Sequence, residues 1–169
     1  MDFGGAKAEL EDGLIFMMAG GTQAHARVSG NIFAYLRSSL RGSGCMPFNS
    51  DFAARTGERT LRFPDVAVYC DRPALPEKDG SQLLGDPRIV FEILSPSTSS
   101  HDQKVKLAEY VALPGLQELV FVDPLTERVR HIRRTGPEGW ADDRLPPGAD
   151  LILASIDTTL PHAEIFARD

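Results

Sequence analysis

The sequence predicts an α/β chain, or an α+β chain with a mixed sheet, because short strand-like runs alternate with two long helices. Three observations carry this expectation. Residues 23–40 repeat apolar side chains at helical spacing (Ala24, Val28, Ile32, Tyr35, Leu36, Leu40). Residues 89–94 form an apolar run of the fully buried strand type, and a second helix follows it after one turn. Residues 66–69 (VAVY) and 118–122 (ELVFV) are further short runs suited to a sheet.

Composition bounds the answer. The chain has 169 residues, 42% of them hydrophobic, which suits one domain over residues 1–169 with a core from about 10 to 165. No apolar run is long enough to span a bilayer. The opening MDFGGAKAEL lacks the basic and apolar regions of a signal peptide, so a cytoplasmic chain with no membrane association is expected. Cys45 and Cys70 match no metal-ligand spacing, and free thiols in a reducing compartment are expected. The net charge of -6 argues against a dedicated nucleic-acid-binding module, which is usually basic, but leaves room for a local basic face.

Taken in order, residues 1–12 read as polar and loosely held, and residues 14–19 (LIFMMA) as a strand ended by Gly20-Gly21. Thr22 is placed to cap the first long helix. That helix carries a sparse basic stripe, Arg27, Asn31, Arg37 and Arg41, read either as a solvated face or as phosphate contacts. Gly42-Ser43-Gly44 closes it. Residues 45–54 and 59–63 read as strands around a turn at Thr56-Gly57-Glu58. Residues 71–86 form a long loop rich in Pro, Gly and charge.

The second helix is predicted to start with a capping box, Ser100 with Gln103, and to bury Val105, Ala108, Val111 and Ala112. Asp102, Lys106 and Tyr110 fall four apart and share another face. Pro114-Gly115 ends the helix. Residues 128–134 (RVRHIRR) alternate like a strand with Val129 and Ile132 inside; its arginines read as a phosphate-binding cluster or as the guard of an exposed edge. Trp140 and residues 151–153 suggest further strands, and residues 160–166 a closing helix.

The chemistry concentrates around Glu92, the one acid inside the apolar run. Glu is rarely buried unless it is paired or binds metal, so Glu92 either faces water on an exposed edge or is held at a working site. Asp65 sits at the mouth of the preceding strand, where it either shapes a turn after Pro64 or joins Glu92. Two converging carboxylates can hold a hard divalent cation, and a nearby ammonium such as that of Lys106 can position water or offset charge on a phosphate. Asp102 and Lys106 also fit a simple helix ion pair.

Residues 63–68 (FPDVAV) and 92–98 (EILSPST), with Asp102, Lys106, Tyr110, Glu118 and Val122-Asp123-Pro124, resemble the Uma-two family. The opening Gly20-Gly21-Thr22-Gln23-Ala24-His25 is similar to that family's usual start. These are bacterial proteins classed with restriction endonucleases and related to the PD-(D/E)XK nucleases, and the resemblance spans residues 10–165. It implies a restriction-endonuclease-like fold, a mixed β-sheet flanked by helices with a Mg²⁺ (or Mn²⁺) site at one end. Asp65 would be the acid of the PD motif and Glu92 the acid of the second motif, with the Ile93 carbonyl as a further ligand. The superfamily's Lys usually stands two places after the acid, where this chain has Leu94; in the Uma-two pattern it moves to the following helix, here Lys106. Lys104 is the runner-up, though its wheel position falls on the apolar stripe. Many such nucleases also take an acid from the first helix; this chain has none between Gly13 and Ser50, so that ligand is missing or comes from Glu11. His25 reads as a contact near the site or as an ordinary surface residue.

The resemblance therefore implies a metal-dependent endonuclease that hydrolyses DNA phosphodiesters, with Asp65, Glu92 and Lys106 as its catalytic residues. A homodimer would suit cutting two strands. The rival is a catalytically inactive module of the same fold that binds nucleic acid or protein.

Overall fold

Helix α1 (Gln23–Ser39) starts where its sequence says it should: the Thr22 hydroxyl accepts from the His25 amide at 3.2 Å, satisfying one of the orphan donors of the first turn. Val28, Ile32, Leu36 and Leu40 line its buried face at a spacing of four. The computed structural model describes residues 8–17, 21–71, 85–96 and 100–168, apart from the side chains of 101 and 102.

A six-stranded sheet forms the centre. Its order is β10 (Trp140–Arg144), β9 (Arg128–Arg134), β8 (Glu118–Asp123), β7 (Ile89–Ile93), β6 (Val66–Cys70), β3 (Cys45–Asn49). Only β7 and β8 run parallel; helix α2 (Ser100–Val111) is the crossover between them, and every other pair is antiparallel. The sheet is therefore mixed. All five residues of β7 are buried, because the strand is covered on both faces. On one face lie α1, the short α3 (His162–Ile165) and a hairpin of β11 (Leu151–Leu153) and β12 (Thr158–Leu160), packed on Val66, Val68, Ile89, Phe91, Val120 and Val122. On the other, α2 covers Ala67, Val90, Leu119 and Phe121 through Tyr110 and Leu113. A second, four-stranded sheet has the order β2 (Leu14–Met17), β1 (Ala8–Glu11), β5 (Thr60–Arg62), β4 (Ala54–Gly57).

Several expectations need correction. Residues 8–11 are a strand rather than a loose start; their acids look merely polar in sequence, but Glu9 and Glu11 both bind the buried Arg62. The strand expected over residues 45–54 breaks at Asn49, whose side chain accepts from the Asp51 amide, and β4 joins the other sheet. Cys45 and Cys70 are not free thiols: they are 25 residues apart, but the antiparallel register of β3 and β6 sets them opposite one another and they form a disulfide. Strand β9 is not an edge, since β10 pairs along it. Its arginines are largely engaged: Arg130 with Asp142, Arg133 with Asp143, and Arg134 with the carbonyls of Leu113, Leu116 and Pro137. In the basic stripe of α1, Arg27 and Asn31 bind the carbonyls of Ile165, Phe166 and Ala167, so they fasten the chain's end.

Helix α2 follows its expected face only in part: Val105 and Val111 are half-buried, Val111 against the core, but the two alanines are not. Ala108 and Ala112 are exposed, whereas Tyr110 and Leu113 are buried and Lys106 is half-buried. The polar face points in because Glu92 waits beneath it. Ser100 is the first helical residue, so the capping position and the expected Asp102–Lys106 pair lie outside the described side chains, as does nearly all of the loop expected over residues 71–86.

Candidate active site

Two adjacent strands deliver the acids. In β7, Glu92 follows Phe91, which pairs with Val66 of β6; one further step of that register sets Asp65 beside Glu92. The Ile93 amide donates to Asp65 Oδ2 at 2.7 Å, which ties the two positions together. The exposed-edge reading of Glu92 fails, since β7 lies between β6 and β8 and Glu92 is only 6% exposed. Asp65 is likewise more than a turn former. Its Oδ1 meets His25 Nε2, from the first turn of α1, at 3.0 Å.

Helix α2 closes the site from above. Lys106 Nζ donates to Glu92 Oε2 at 3.1 Å, and the Tyr110 hydroxyl donates to Oε1 at 2.7 Å. Lys106 and Tyr110 are four apart, so one helix face carries both donors to one carboxylate. Lys104 is exposed and does not reach the acids. Burial is the main reason the Glu92 carboxyl is pushed up to about 7; the Asp65 and Glu9 charges add to this, while Lys106 and the Tyr110 hydroxyl oppose it. The hydrogen bond to Asp65 raises the His25 imidazole above its ordinary range, against the opposite pull of burial. Burial and the Glu92 charge together raise the Tyr110 hydroxyl.

Sequence reasoning missed the layer behind these residues. Glu9 Oε1 lies 3.9 Å from Lys106 Nζ and also accepts from the Phe63 amide. Arg62, 1% exposed, is grasped by Glu9 at 3.0 Å, Glu11 at 2.9 Å and Glu109 at 2.7 Å. Burial works against the Arg62 charge, but the bonds it donates to Glu109 and Glu11 outweigh it and raise its pKa. Glu109 belongs to α2, between Lys106 and Tyr110, so this cluster fixes the rotation of the helix over Glu92. The acid expected from Glu11 goes to Arg62; the acid nearest the site from this part of the chain is Glu9. The alternation of Ala8-Glu9-Leu10-Glu11 was the available signal for a strand.

Two carboxylates set side by side are the kind of oxygen ligands that suit a hard cation. All four carboxylate oxygens nevertheless take a protein donor, and among the described residues no group of three or more His, Cys, Asp or Glu side chains is placed to hold a metal. No helix among the described residues is long and apolar enough to cross a membrane.

Residues 2–160 match the model of the Uma2 family, described as "Putative restriction endonuclease". Two Synechocystis sp. proteins (strain ATCC 27184 / PCC 6803 / Kazusa), both named as uncharacterized, are each 30% identical to this chain. One aligns over 146 residues, 82% of this chain and 75% of its own, and the other over 136 residues, 79% and 76%. The fold is similar to that of a crystal structure titled as a putative nuclease belonging to DUF820 from Anabaena variabilis ATCC 29413: the TM-score is 0.77 at 18% identity, covering 95% of this chain and 89% of that one. With the family match spanning nearly the whole sequence, and with its acids and lysine gathered at one end of the central strands, the chain belongs to the Uma2 family.

Proposed function

We propose that this protein is a metal-dependent endonuclease that hydrolyses DNA phosphodiesters, using Mg²⁺ or Mn²⁺. The observation that carries the reading is the buried Glu92 carboxylate, held at 3.1 Å by Lys106 and set beside Asp65 by the register of β6 and β7. Asp65, Glu92 and the Ile93 carbonyl would hold the cation. A bound Mg²⁺ supplies Lewis acidity toward a phosphate oxygen and acidifies a water. Lys106 is the catalytic cation of the protein itself: its ammonium orients the attacking water and offsets charge on the phosphate. Tyr110 and His25 hold the two acids in place, and Arg62 with Glu9 and Glu109 keeps α2 seated. The family description and the structural neighbour's title point to the same class of reaction. Cutting both strands of a duplex is easiest with two copies of the site, so a homodimer belongs to the same proposal.

The test combines binding and cleavage. Calorimetric titration of Mn²⁺ should show binding to the wild type that disappears in Glu92→Ala. Cleavage by Asp65→Asn, Glu92→Gln and Lys106→Ala should fall by about 10²–10³-fold, the scale on which a lost charge-stabilising group acts. Metal-dependent cleavage that survives unchanged in Asp65→Asn and Glu92→Gln would overturn the assignment.

A second reading has its own observation. Every oxygen of Asp65 and Glu92 already holds a protein donor, as befits a non-catalytic module that retains the fold and binds nucleic acid or protein. It predicts no Mn²⁺ binding, with or without DNA, and a melting temperature that ignores the metal.

A further inference from the structure

Beside Glu92, on the same face of the sheet, lies a basic pocket that the reaction described above does not use. One row of paired residues crosses four strands: Glu92 of β7 faces Phe121 of β8, which faces Arg130 of β9, which faces Arg144 of β10. Three strand spacings of about 4.8 Å put Arg144 roughly 14 Å from Glu92. The next step along the strands adds Asp123 and Arg128, paired in register. Together these side chains border a cavity of about 280 Å³, closed by Leu94, Leu145 and Pro147 and overlooked by Gln103 of α2.

Its charge is unusual for this chain. Three arginines and one aspartate line it, in a protein whose net charge is -6. Arg130 is held by Asp142 and lies 5.8 Å from the centre of the Phe121 ring. The Asp123 carboxylate is turned to its own loop, accepting from the Leu125 and Thr126 amides. Arg128 and Arg144 are exposed; Arg128 acts on the Asp123 charge and Arg144 on that of Asp142, but neither forms a close ion pair among the described residues, so both guanidinium groups can reach a ligand. Guanidinium is the side chain best matched to phosphate. The walls between these charges are apolar, which suits the face of a base. At about 280 Å³ the cavity falls just under the usual size of ligand pockets, enough for a single base with its phosphate at the rim and not for a base-paired duplex.

We infer that this pocket seats one unpaired nucleotide of the DNA strand beside the cut, its phosphate on Arg128 and Arg144 and its base against the Leu94 and Leu145 walls. The inference rests on the nuclease reading and adds to it a preference for locally single-stranded DNA.

The test reads binding without cleavage. Anisotropy of a fluorescein-labelled single-stranded oligonucleotide, and of the duplex of the same sequence, is measured in EDTA over a range of salt. Wild type is expected to bind the single strand more tightly. The double variant Arg128→Ala/Arg144→Ala should bind it about tenfold more weakly, with a salt slope smaller by about 0.7 for each phosphate that the protein no longer neutralises. Arg37→Ala/Arg41→Ala, on the far end of α1, should match the wild type. If the alanine pair melts early, Arg144→Gln on the edge strand gives the same readout. Unchanged affinity and slope in these variants, or a duplex preference in the wild type, overturns the pocket assignment. If Glu92→Gln still abolishes cleavage, the nuclease reading survives that failure. Single-strand binding that the arginine variants lose, in a wild type that cleaves no DNA with Mg²⁺ or Mn²⁺, would overturn the nuclease reading instead.

Discussion

Replacing Arg62 by Met should be among the most damaging single changes in this protein. The side chain is 1% exposed, and its guanidinium makes four hydrogen bonds to three glutamates: two to Glu109 and one each to Glu9 and Glu11. Methionine fills much of the volume but removes the charge, leaving Glu9 and Glu109 with partners gone in a partly buried setting. Removing one partner of a buried ion pair typically costs about 3–5 kcal/mol. Glu11 is the most exposed of the three and can turn to water, so the lower half of that range is expected. For a chain of this size each kcal/mol moves Tm by about 2–4 °C, giving a drop on the order of 6–16 °C. The assay is a urea titration supported by thermal melts. Adding Glu9→Gln and Glu109→Gln to Arg62→Met should restore at least about half of the loss, since stranded charge and not lost packing is the cost. A loss below about 1 kcal/mol, or no rescue, would mean that the glutamates do not depend on the Arg62 charge.

Further outcomes follow from other buried contacts. Tyr110→Phe removes the hydroxyl 2.7 Å from Glu92 Oε1 and should lower stability by about 1–3 kcal/mol, the cost of a buried acceptor left without its donor; an effect under about 0.5 kcal/mol in urea melts would contradict it. Glu118 is held below the usual carboxylate range: burial pushes it up, but the bonds from His131 at 2.6 Å and the Ser155 amide at 2.8 Å more than offset this. A lowered folded pKa stabilises at pH above the unfolded value, and that stability is lost as pH falls through the folded one. The Tm gap between wild type and Glu118→Gln should therefore be full at neutral pH and close below about pH 4, and a gap that stays constant would oppose the assignment. Arg27→Ala frees the carbonyls of Phe166 and Ala167, bound at 2.9 and 2.8 Å. It should make the C-terminus cleavable by carboxypeptidase well below the global melting temperature, with little change in urea stability.

What the sequence made legible follows from periodicity. Helix α1, the buried run of β7 and the alternation of β9 stand out because one face of each meets the core and the spacing records which. Asp65, Glu92 and Lys106 stood out for a different reason: the resemblance to the Uma-two motifs singled them out, and the structure brings the three side chains together. Helix α2 shows where periodicity misleads. Its inward face carries Lys106 and Tyr110, so hydrophobic spacing pointed to the alanines on the wrong side. The same blindness hid the Arg62 cluster. A buried arginine with three glutamates from β1 and α2 leaves only polar residues in the sequence, which read as surface. Cys45 and Cys70 failed for a topological reason, because no sequence spacing announces that β3 returns to pair with β6.

The placement of donors ties the two acids to both long helices. Asp65 is held from one side of the sheet by His25 of α1 and from within the sheet by the Ile93 amide. Glu92 is held from the opposite side by Lys106 and Tyr110 of α2. Neither layer alone satisfies both carboxylates, so their geometry is set only once α1, the sheet and α2 are all docked. Consequently, loosening α2 through Arg62 should release Glu92 while leaving the His25–Asp65 contact intact, and loosening α1 should do the reverse. Hydrogen exchange at the Ile93 amide separates these cases. Its donor bond runs to Asp65, so it should stay protected in Arg62→Met at temperatures where α2 amides already exchange. Loss of protection at Ile93 together with α2 would mean that the two acids are held as one unit, against the division argued from their donors.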